Sequence, residues 1–397
     1  MALAPSFGRK IAAIVTVCTV FLVAVAANGQ TVARCGKGWL ERVNGYPVLH
    51  LKGTHYEMGY QHGALLKDHV QQNLDYILHE KGAAPVQIGP LRLYPKAAIL
   101  SISNHQTKKN FIPKKYLDEI AGLSAGSGVS LEDSRMGNFL PELFHCSGFA
   151  VMNSATKDGT LYHGRVLDYA CDWKLQEHAV LVVAEPEGGI PFANVTYAGF
   201  IGSVTGMNAE HVAIGEMGGG GAGHWDGVPM AFLVREVLET SKDLAAAIGV
   251  FRDSPRTCQY FYVISDGKTN EAVGMEASWN RFEVIKTGAT HELLPKPVQD
   301  CVLVSAGKRY EELVRRAEAG HGKLDVQGAI HLMDRGVAMH SNLHNVLFAP
   351  KSTRIWIANA TPDKRPAAEQ PYHEFELAEL LKRTPDPGSP ELTFLAK

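Results

Sequence analysis

Cys146 stands in Phe144-His-Cys-Ser-Gly-Phe-Ala-Val151, where apolar and small residues alternate as in a strand. Such a cysteine is by default a small buried hydrophobe. The segment that follows gives it a chemical reading. Asp158-Gly159 is a hairpin-turn dipeptide, and the returning stretch ends in His163-Gly-Arg-Val-Leu-Asp-Tyr169. Arg165 and Asp168 follow Cys146 at a separation that fits two short strands and a turn, and such a hairpin brings its ends side by side. A guanidinium there would lower the thiol pKa and fix a thiolate, and a carboxylate would hold an amine in place. On an open surface the same two residues would be a solvated pair worth little.

Other motifs carry less. Gly218-Gly-Gly-Gly-Ala-Gly223 lacks the G-K-(S/T) ending of a phosphate loop and reads as a flexible loop after a strand. His340 and His344 have zinc-helix spacing, but Ser341 occupies the place of the Glu in H-E-x-x-H, so packed or surface histidines are expected. No CxxC or paired Cys/His spacing suggests a metal. Neither metal nor cofactor is expected. Asn194-Val-Thr196 and Asn359-Ala-Thr361 are glycosylation sequons.

The elements that must position the cysteine change character at residue 146. Before it, Tyr46–Leu51 is a short extended stretch, and Leu66, Val70, Leu74 and Ile77 mark a helix ending near Gly82. A second helix is expected from Pro113 to the Gly126-Ser-Gly128 cluster, and Ser130-Leu-Glu-Asp133 reads as a helix start. After it come strands, two helices (Pro229–Glu239 and Ser241–Phe251) and more strands, including Gln259–Ser265, Glu271–Met275, and Asn345–Phe348 with Arg354–Ala358. Helices near Lys308–Glu318 and Val326–Leu332 are expected, and Thr361–Lys397 should wrap the surface. That order suggests an α+β layered sandwich rather than a doubly wound sheet.

With 39 basic and 41 acidic residues, a net charge of −2 and 45% hydrophobic content, the chain is neither disordered nor an electrostatic nucleic-acid binder. Arg9 and Lys10, the apolar Ile11–Val25 run and Ala24-Val25-Ala26 read as an export signal over residues 1–26, with an uncleaved anchor as the alternative. The expected location is therefore secreted or periplasmic, or membrane-anchored if the signal stays. Cys18 leaves with the signal, and Cys35, Cys146, Cys171, Cys258 and Cys301 remain. Two disulfides would leave one thiol over, and their pairing stays open.

The hairpin resembles the opening of the N-terminal-nucleophile hydrolases with cysteine at the active end. It is similar to the acyl-coenzyme A:6-aminopenicillanic acid acyltransferase branch, with choloylglycine hydrolases and acid ceramidases as relatives. The matching residues are Cys146-Ser-Gly-Phe-Ala, Thr156-Lys-Asp-Gly159 and His163-Gly-Arg-Val-Leu-Asp-Tyr169, with Val166 where the pattern has Asn. Leu51-Lys-Gly-Thr-His-Tyr-Glu-Met-Gly-Tyr-Gln-His-Gly63 and Gly199-Phe-Ile-Gly-Ser-Val-Thr-Gly-Met-Asn208 resemble two further stretches of that branch.

The resemblance implies an αββα four-layer sandwich with a helical leader over 27–145 and a hydrolase body over 146–397. It also implies self-cleavage between His145 and Cys146. The new α-amine would then serve as base for its own thiol, with Arg165 stabilising the thiolate and Asp168 orienting the amine. The activity implied is hydrolysis or transfer of amide-linked acyl groups, on carbon–nitrogen bonds other than peptide bonds, through a Cys146 thioester. The family's oxyanion Asn is missing from Val302–Tyr310, which leaves Asn342 as the candidate donor, with Asn345 beside it. The backbone near Met217 and Gly218 is the candidate second donor. A phospholipase B-like ester hydrolase and a catalytically silent binding or scaffold protein are the alternatives. A small acylated substrate is the expected partner, without nucleic acid or a stable membrane partner; homo-oligomerisation is left open.

Overall fold

The structure is a computed structural model that describes residues 29–88, 91–93, 95–139 and 146–395. The expected signal and His145, hence the expected cleavage bond, lie outside the described residues.

Strands β1 (Ser147–Asn153) and β2 (Gly159–Asp168) form the expected hairpin, with Ser147 opposite Val166 and Gly148 opposite Arg165. Gly159 turns the chain at φ 78°, where glycine carries no Cβ penalty, and Asp158 accepts the Thr160 N–H at 3.1 Å. The hairpin is the centre of a six-stranded sheet, flanked by Cys301–Val304 on the β1 side and by Asn342–Ala349, Arg354–Asn359 and His373–Glu376 on the β2 side. An eleven-stranded sheet runs from Phe282–Lys286 at one edge to Glu391–Leu392 at the other, with β3 (Val212–Gly220) among its strands.

Three apolar cores fix the layering. Helices α1 (His55–Leu65), α2 (Lys114–Ser127), α3 (Met230–Thr240) and α4 (Leu244–Arg252) bury Met58, Ile120, Phe232 and Phe251 with Leu49, Val182, Ile214 and Tyr262 of the large sheet. Helices α5 (Gly307–Gly320) and α6 (Val326–His331) bury Leu313, Val314 and Ala329 with Phe149, Val166 and Leu303 of the small one. Between the sheets, Val48, Leu181 and Val195 meet Val346, Phe348 and Ile357. Each such side chain contributes roughly 1.5–3 kcal/mol by leaving water. The order is helix, sheet, sheet, helix: the α+β, αββα sandwich expected.

From His55 onward the described leader is mainly helical, broken by the antiparallel pair Val86–Ile88 and Leu91–Leu93, but it opens with three strands, Gly29–Cys35, Gly38–Val43 and Tyr46–Gly53. The last of them pairs in parallel with Ala179–Pro186, so residues on both sides of position 146 share one sheet. The turn before it is Asn44-Gly45, with φ of 51° and 82°, a hairpin signal that the sequence reading passed over. The tail does more than wrap the surface: His373–Glu376 joins the small sheet and Phe375, Leu377 and Leu380 are buried in the core between the sheets, before Glu391–Leu392 pairs with Gly29–Cys35.

Helices α1 and α2 meet backbone to backbone. A Cβ on Gly59 would lie 1.9 Å from the Glu119 carbonyl oxygen, and one on Gly122 2.1 Å from that of Tyr56. The glycines of the Leu51–Gly63 motif are thus packing residues. Asn208, which ends the Gly199–Asn208 stretch, is also structural. Its amide donates to the Leu238 and Ser241 carbonyls at 3.2 and 2.8 Å, and its Oδ1 accepts from Val212 at 3.0 Å.

Cys35, Cys146, Cys171, Cys258 and Cys301 are all buried and unpaired. Asn194 is buried within its strand, and Asn359 donates to the Tyr46 hydroxyl at 2.6 Å. Among the described residues no helix is long and apolar enough to cross a membrane.

Candidate active site

Cys146 sits at the head of β1 and is 5% exposed. Two residues along the same strand, a Cβ on Gly148 would lie 2.7 Å from Met217 Sδ of the large sheet. The two-residue period of a strand therefore puts Cys146 on the face between the sheets. Arg165 shares that space and is fully buried; a Cβ on Gly215 of β3 would touch its Cγ at 2.7 Å. Its Nε donates to the Glu216 carbonyl at 3.1 Å and its Nη2 to Glu216 Oε2 at 3.4 Å.

Asp168 closes β2 and is also buried. Its Oδ1 accepts the Met339 N–H at 2.9 Å, and its Oδ2 is paired with Arg309 Nη2 on the first turn of α5. The same Nη2 donates to Ser147 Oγ at 2.6 Å, and Ser147 Oγ lies 2.7 Å from Ser305 Oγ. One guanidinium therefore holds the residue after the thiol and the carboxylate at the far end of the hairpin.

The electrostatics correct one expectation. Burial pushes the Cys146 thiol up to about 12; Arg165 pulls it down, while Glu216 and Asp168 push it further up. Arg165 acts in the expected direction, but desolvation wins because the sulfur is shut away from water and Glu216 absorbs much of the cation's field. Burial also raises the Asp168 carboxyl to about 6, against the pull of Arg309, the Met339 N–H and Arg165.

Asn342 lies opposite Asp168 in the β2–β4 ladder, β4 being Asn342–Ala349. Its amide nitrogen donates to Leu167 O at 3.1 Å, His344 O at 3.3 Å and Asn345 Oδ1 at 2.9 Å. Its Oδ1 accepts the Ala368 N–H at 2.8 Å. Asn345 in turn donates to Met333 O and the Tyr372 hydroxyl. The expectation of Asn342 as oxyanion donor is thus corrected: its donors are spent on holding neighbouring backbone together. Met217 and Gly218, the expected backbone donors, lie on β3 opposite Phe261 and Tyr260. His344 is a buried link, 2.9 Å from the Tyr197 hydroxyl and 3.1 Å from that of Thr205, and burial with the Arg165 charge keeps it neutral.

Beside the hairpin end lies a cavity of about 70 Å³, walled by Leu167, Tyr169, Val195, Tyr197, Phe200 and Ala231 among others. Its lining is mostly apolar and suits a hydrocarbon chain. Two acid–histidine clusters, His55/Glu119/Glu239 and Glu276/Glu283/His291, have ligand atoms close enough for an ion. Arg235 and Lys115 pair with the first and Arg281 with the second, so both are balanced by side-chain cations.

The sequence reading missed Arg309, Ser147 and Glu216 as members of the site. Glu216 left a signal: a charge within the apolar strand Val212–Glu216 needs a buried partner. Arg309 left none, because its partner is 141 residues away in the chain.

Residues 154–293 match the family described as Acyl-coenzyme A:6-aminopenicillanic acid acyl-transferase, a stretch that holds Arg165, Asp168 and Glu216 but begins after Cys146. Protein dcd1A of Dictyostelium discoideum is 29% identical over 267 residues, 60% of this chain and 59% of that protein. The N-acylethanolamine-hydrolyzing acid amidase of Cavia porcellus is 26% identical over 183 residues, 44% of this chain and 50% of that protein. The chain thus spans between half and three fifths of the length of these two relatives. A solved Caenorhabditis elegans ortholog of that amidase overlays with a TM-score of 0.40 at 19% identity, covering 52% of this chain and 93% of that one, too slight an overlap to argue from. Over residues 154–293, with the Cys146 hairpin leading into them, the chain is thus similar to the acyl-coenzyme A:6-aminopenicillanic acid acyl-transferase family.

Proposed function

We propose that this protein is an exported, self-cleaving cysteine amidohydrolase that removes acyl groups from amide nitrogen. The observation that carries the reading is the β1–β2 hairpin, which gathers Cys146, Arg165 and Asp168 at one end, with Arg309 clamped on Asp168. The relatives named for acid amidase activity support the amide bond as target.

In the first reaction Cys146 Sγ bonds to the carbonyl carbon of His145, the C–N bond breaks, and the thiol proton ends on the Cys146 nitrogen. Water then cleaves the thioester, giving the His145 carboxylate and a Cys146 with free thiol and α-amine. An amine with a pKa of roughly 7.7–8.0 is a usable base where the earlier amide was not. In turnover it takes the thiol proton, the sulfur attacks the acyl carbon, and the proton passes to the leaving amine. Water releases the acid. Outside the cytoplasm water, rather than a second amine, is the expected acceptor. The sheet shared across position 146 would keep both pieces together after the cut.

A silent binding protein is the second reading, favoured by the engaged amide of Asn342. Intact mass and N-terminal sequencing test the proposal. Expected are two fragments, the larger beginning at Cys146, and a Cys146→Ala chain that stays whole and inactive. An uncut wild type whose acyl-amide hydrolysis equals that of Cys146→Ala would overturn it. Parallel assays with lysophospholipids separate amide from ester hydrolysis.

A further inference from the structure

The apolar cavity beside the hairpin does not end in solid protein. A second cavity of about 20 Å³ adjoins it, and Asn138 and Ala231 line both. Beyond that, Ile102 and Trp225 line both the second cavity and an open cleft of about 560 Å³, which Trp279 also lines. The cavities therefore run in series from the end of β2 to the open cleft, and Asn138 and Ala231 form the partition between the first two.

That partition is rigid. Asn138 donates to the carbonyls of Ser134 and Gly199, both at 2.9 Å, and its Oδ1 accepts the Ile201 N–H at 2.8 Å. Its side chain has no freedom to swing aside. Ala231 sits in the first turn of α3, and its carbonyl accepts the Ser203 N–H at 3.0 Å. A Cβ on Gly202 would lie 2.8 Å from the Ala231 methyl, so Ala231 has no room to grow in that direction. Any larger side chain at 231 has to project into one of the two cavities.

We infer that Ala231, backed by Gly202 and fixed beside Asn138, sets the length of acyl chain that the site accepts. This rests on the amidohydrolase reading above and adds to it a specificity-determining position. The acyl carbon sits at Cys146 and the hydrocarbon chain occupies the inner cavity. The Ala231 methyl is the stop that it meets, or slides past, on the way to Trp225. Ala231→Leu closes the passage, and Ala231→Gly widens it. Glycine in a first helical turn is a mild substitution, so the second variant stays informative if the first folds poorly.

The experiment uses a series of straight-chain acyl p-nitroanilides from acetyl to palmitoyl on the full chain. In parallel, calorimetry measures binding of the corresponding free carboxylic acids. Expected is a shift of the optimum to shorter chains in Ala231→Leu, with kcat/KM for the longest accepted chain down at least tenfold and that for acetyl within about twofold. Ala231→Gly should shift the optimum the other way, and the acids should follow the same order in binding. An unchanged length ranking in both variants overturns the inference while leaving the hydrolase reading intact. Acid binding whose length optimum moves in a protein that hydrolyses no amide upholds the passage and overturns the hydrolase reading.

Discussion

Arg309 and Asp168 form an ion pair that ties the first turn of α5 to the end of β2, and the Arg309 side chain is 15% exposed against 0% for Asp168. The pair is therefore an almost dry one, and its guanidinium also reaches Ser147, next to the thiol. Removing one member of such a pair leaves a buried charge uncompensated. Arg309→Ala is expected to cost ~3–5 kcal/mol of stability and to lose most hydrolytic activity. Arg309→Lys should recover part of the stability but less of the activity, because an ammonium cannot hold Ser147 and Asp168 in one plane. Chemical denaturation and initial rates on the two variants read both effects; Arg309→Ala with wild-type rates would remove Arg309 from the site.

Asp168 makes the site acid-sensitive. Its folded carboxyl titrates near 6 against 3.8 for a free one. The folded state thus binds this proton more tightly than the unfolded state. The resulting stabilisation is full below about pH 3.8 and is lost as pH rises through about 6, an amount of ~3 kcal/mol. Function runs the other way, since an amine is oriented by the carboxylate and not by the acid. Activity should fall on the acid side first as the amine base protonates, and again near pH 6 as the Asp168 carboxyl takes its proton. Asp168→Asn should lower the melting temperature at pH 7, because it leaves the Arg309 guanidinium without its partner, and should lose at least a hundredfold in kcat. A wild-type profile flat from pH 7 to 5 would contradict this assignment.

The Cys146 thiol sits among opposing charges. With the thiol near 12, iodoacetamide should label the uncut chain very slowly at pH 7. Glu216→Gln removes a negative neighbour and releases Arg165 to act on the sulfur, so labelling should begin at lower pH. Arg165→Met should move it to higher pH. Mass spectrometry of the alkylated chain across pH follows both; identical curves for the three proteins would show that Arg165 and Glu216 do not govern the thiol.

The local part of this architecture was legible in the sequence, and the long-range part was not. Asp158-Gly159 marked the hairpin, and with it the neighbourhood of Cys146, Arg165 and Asp168, although the connection is the longer Ser154–Asp158 loop and a bulge shifts the register between Val151 and Asn153. The Pro113 and Ser130 helix starts were legible for the same reason, each being a signal contained within one turn. The helix Pro95–Lys108 carries a mixed face and escaped notice. Arg309 was invisible because only the stacking of α5 on the small sheet brings it to Asp168. Asn342 misled for the opposite reason: its tripeptide setting fits a donor, but three acceptors supplied by the folded ladder consume its amide. The raised thiol had no sequence signature, since a pKa set by desolvation depends on what covers the group and not on its neighbours in the chain.

The glycines where α1 crosses α2 give a test of how the leader supports the site. Because Gly59 and Gly122 each face a carbonyl oxygen of the other helix at about 2 Å from a virtual Cβ, Gly59→Ala or Gly122→Ala forces the helices apart. Overpacking against backbone costs ~1–3 kcal/mol or more. Gly249, inside α4, offers the contrast. Its nearest Cβ neighbour is the flexible Arg252 side chain at 3.5 Å, so Gly249→Ala should stabilise by ~0.5–1 kcal/mol through helix propensity. The crossing also reaches the cavity, since His62 on α1 accepts the Gly199 N–H at 3.0 Å, next to Phe200 in the cavity wall. Parting the helices should therefore lower activity together with stability, whereas Gly249→Ala should leave activity unchanged. Melting curves and rates measured side by side decide it, and a Gly59→Ala protein as stable and active as wild type would show that the close crossing is dispensable.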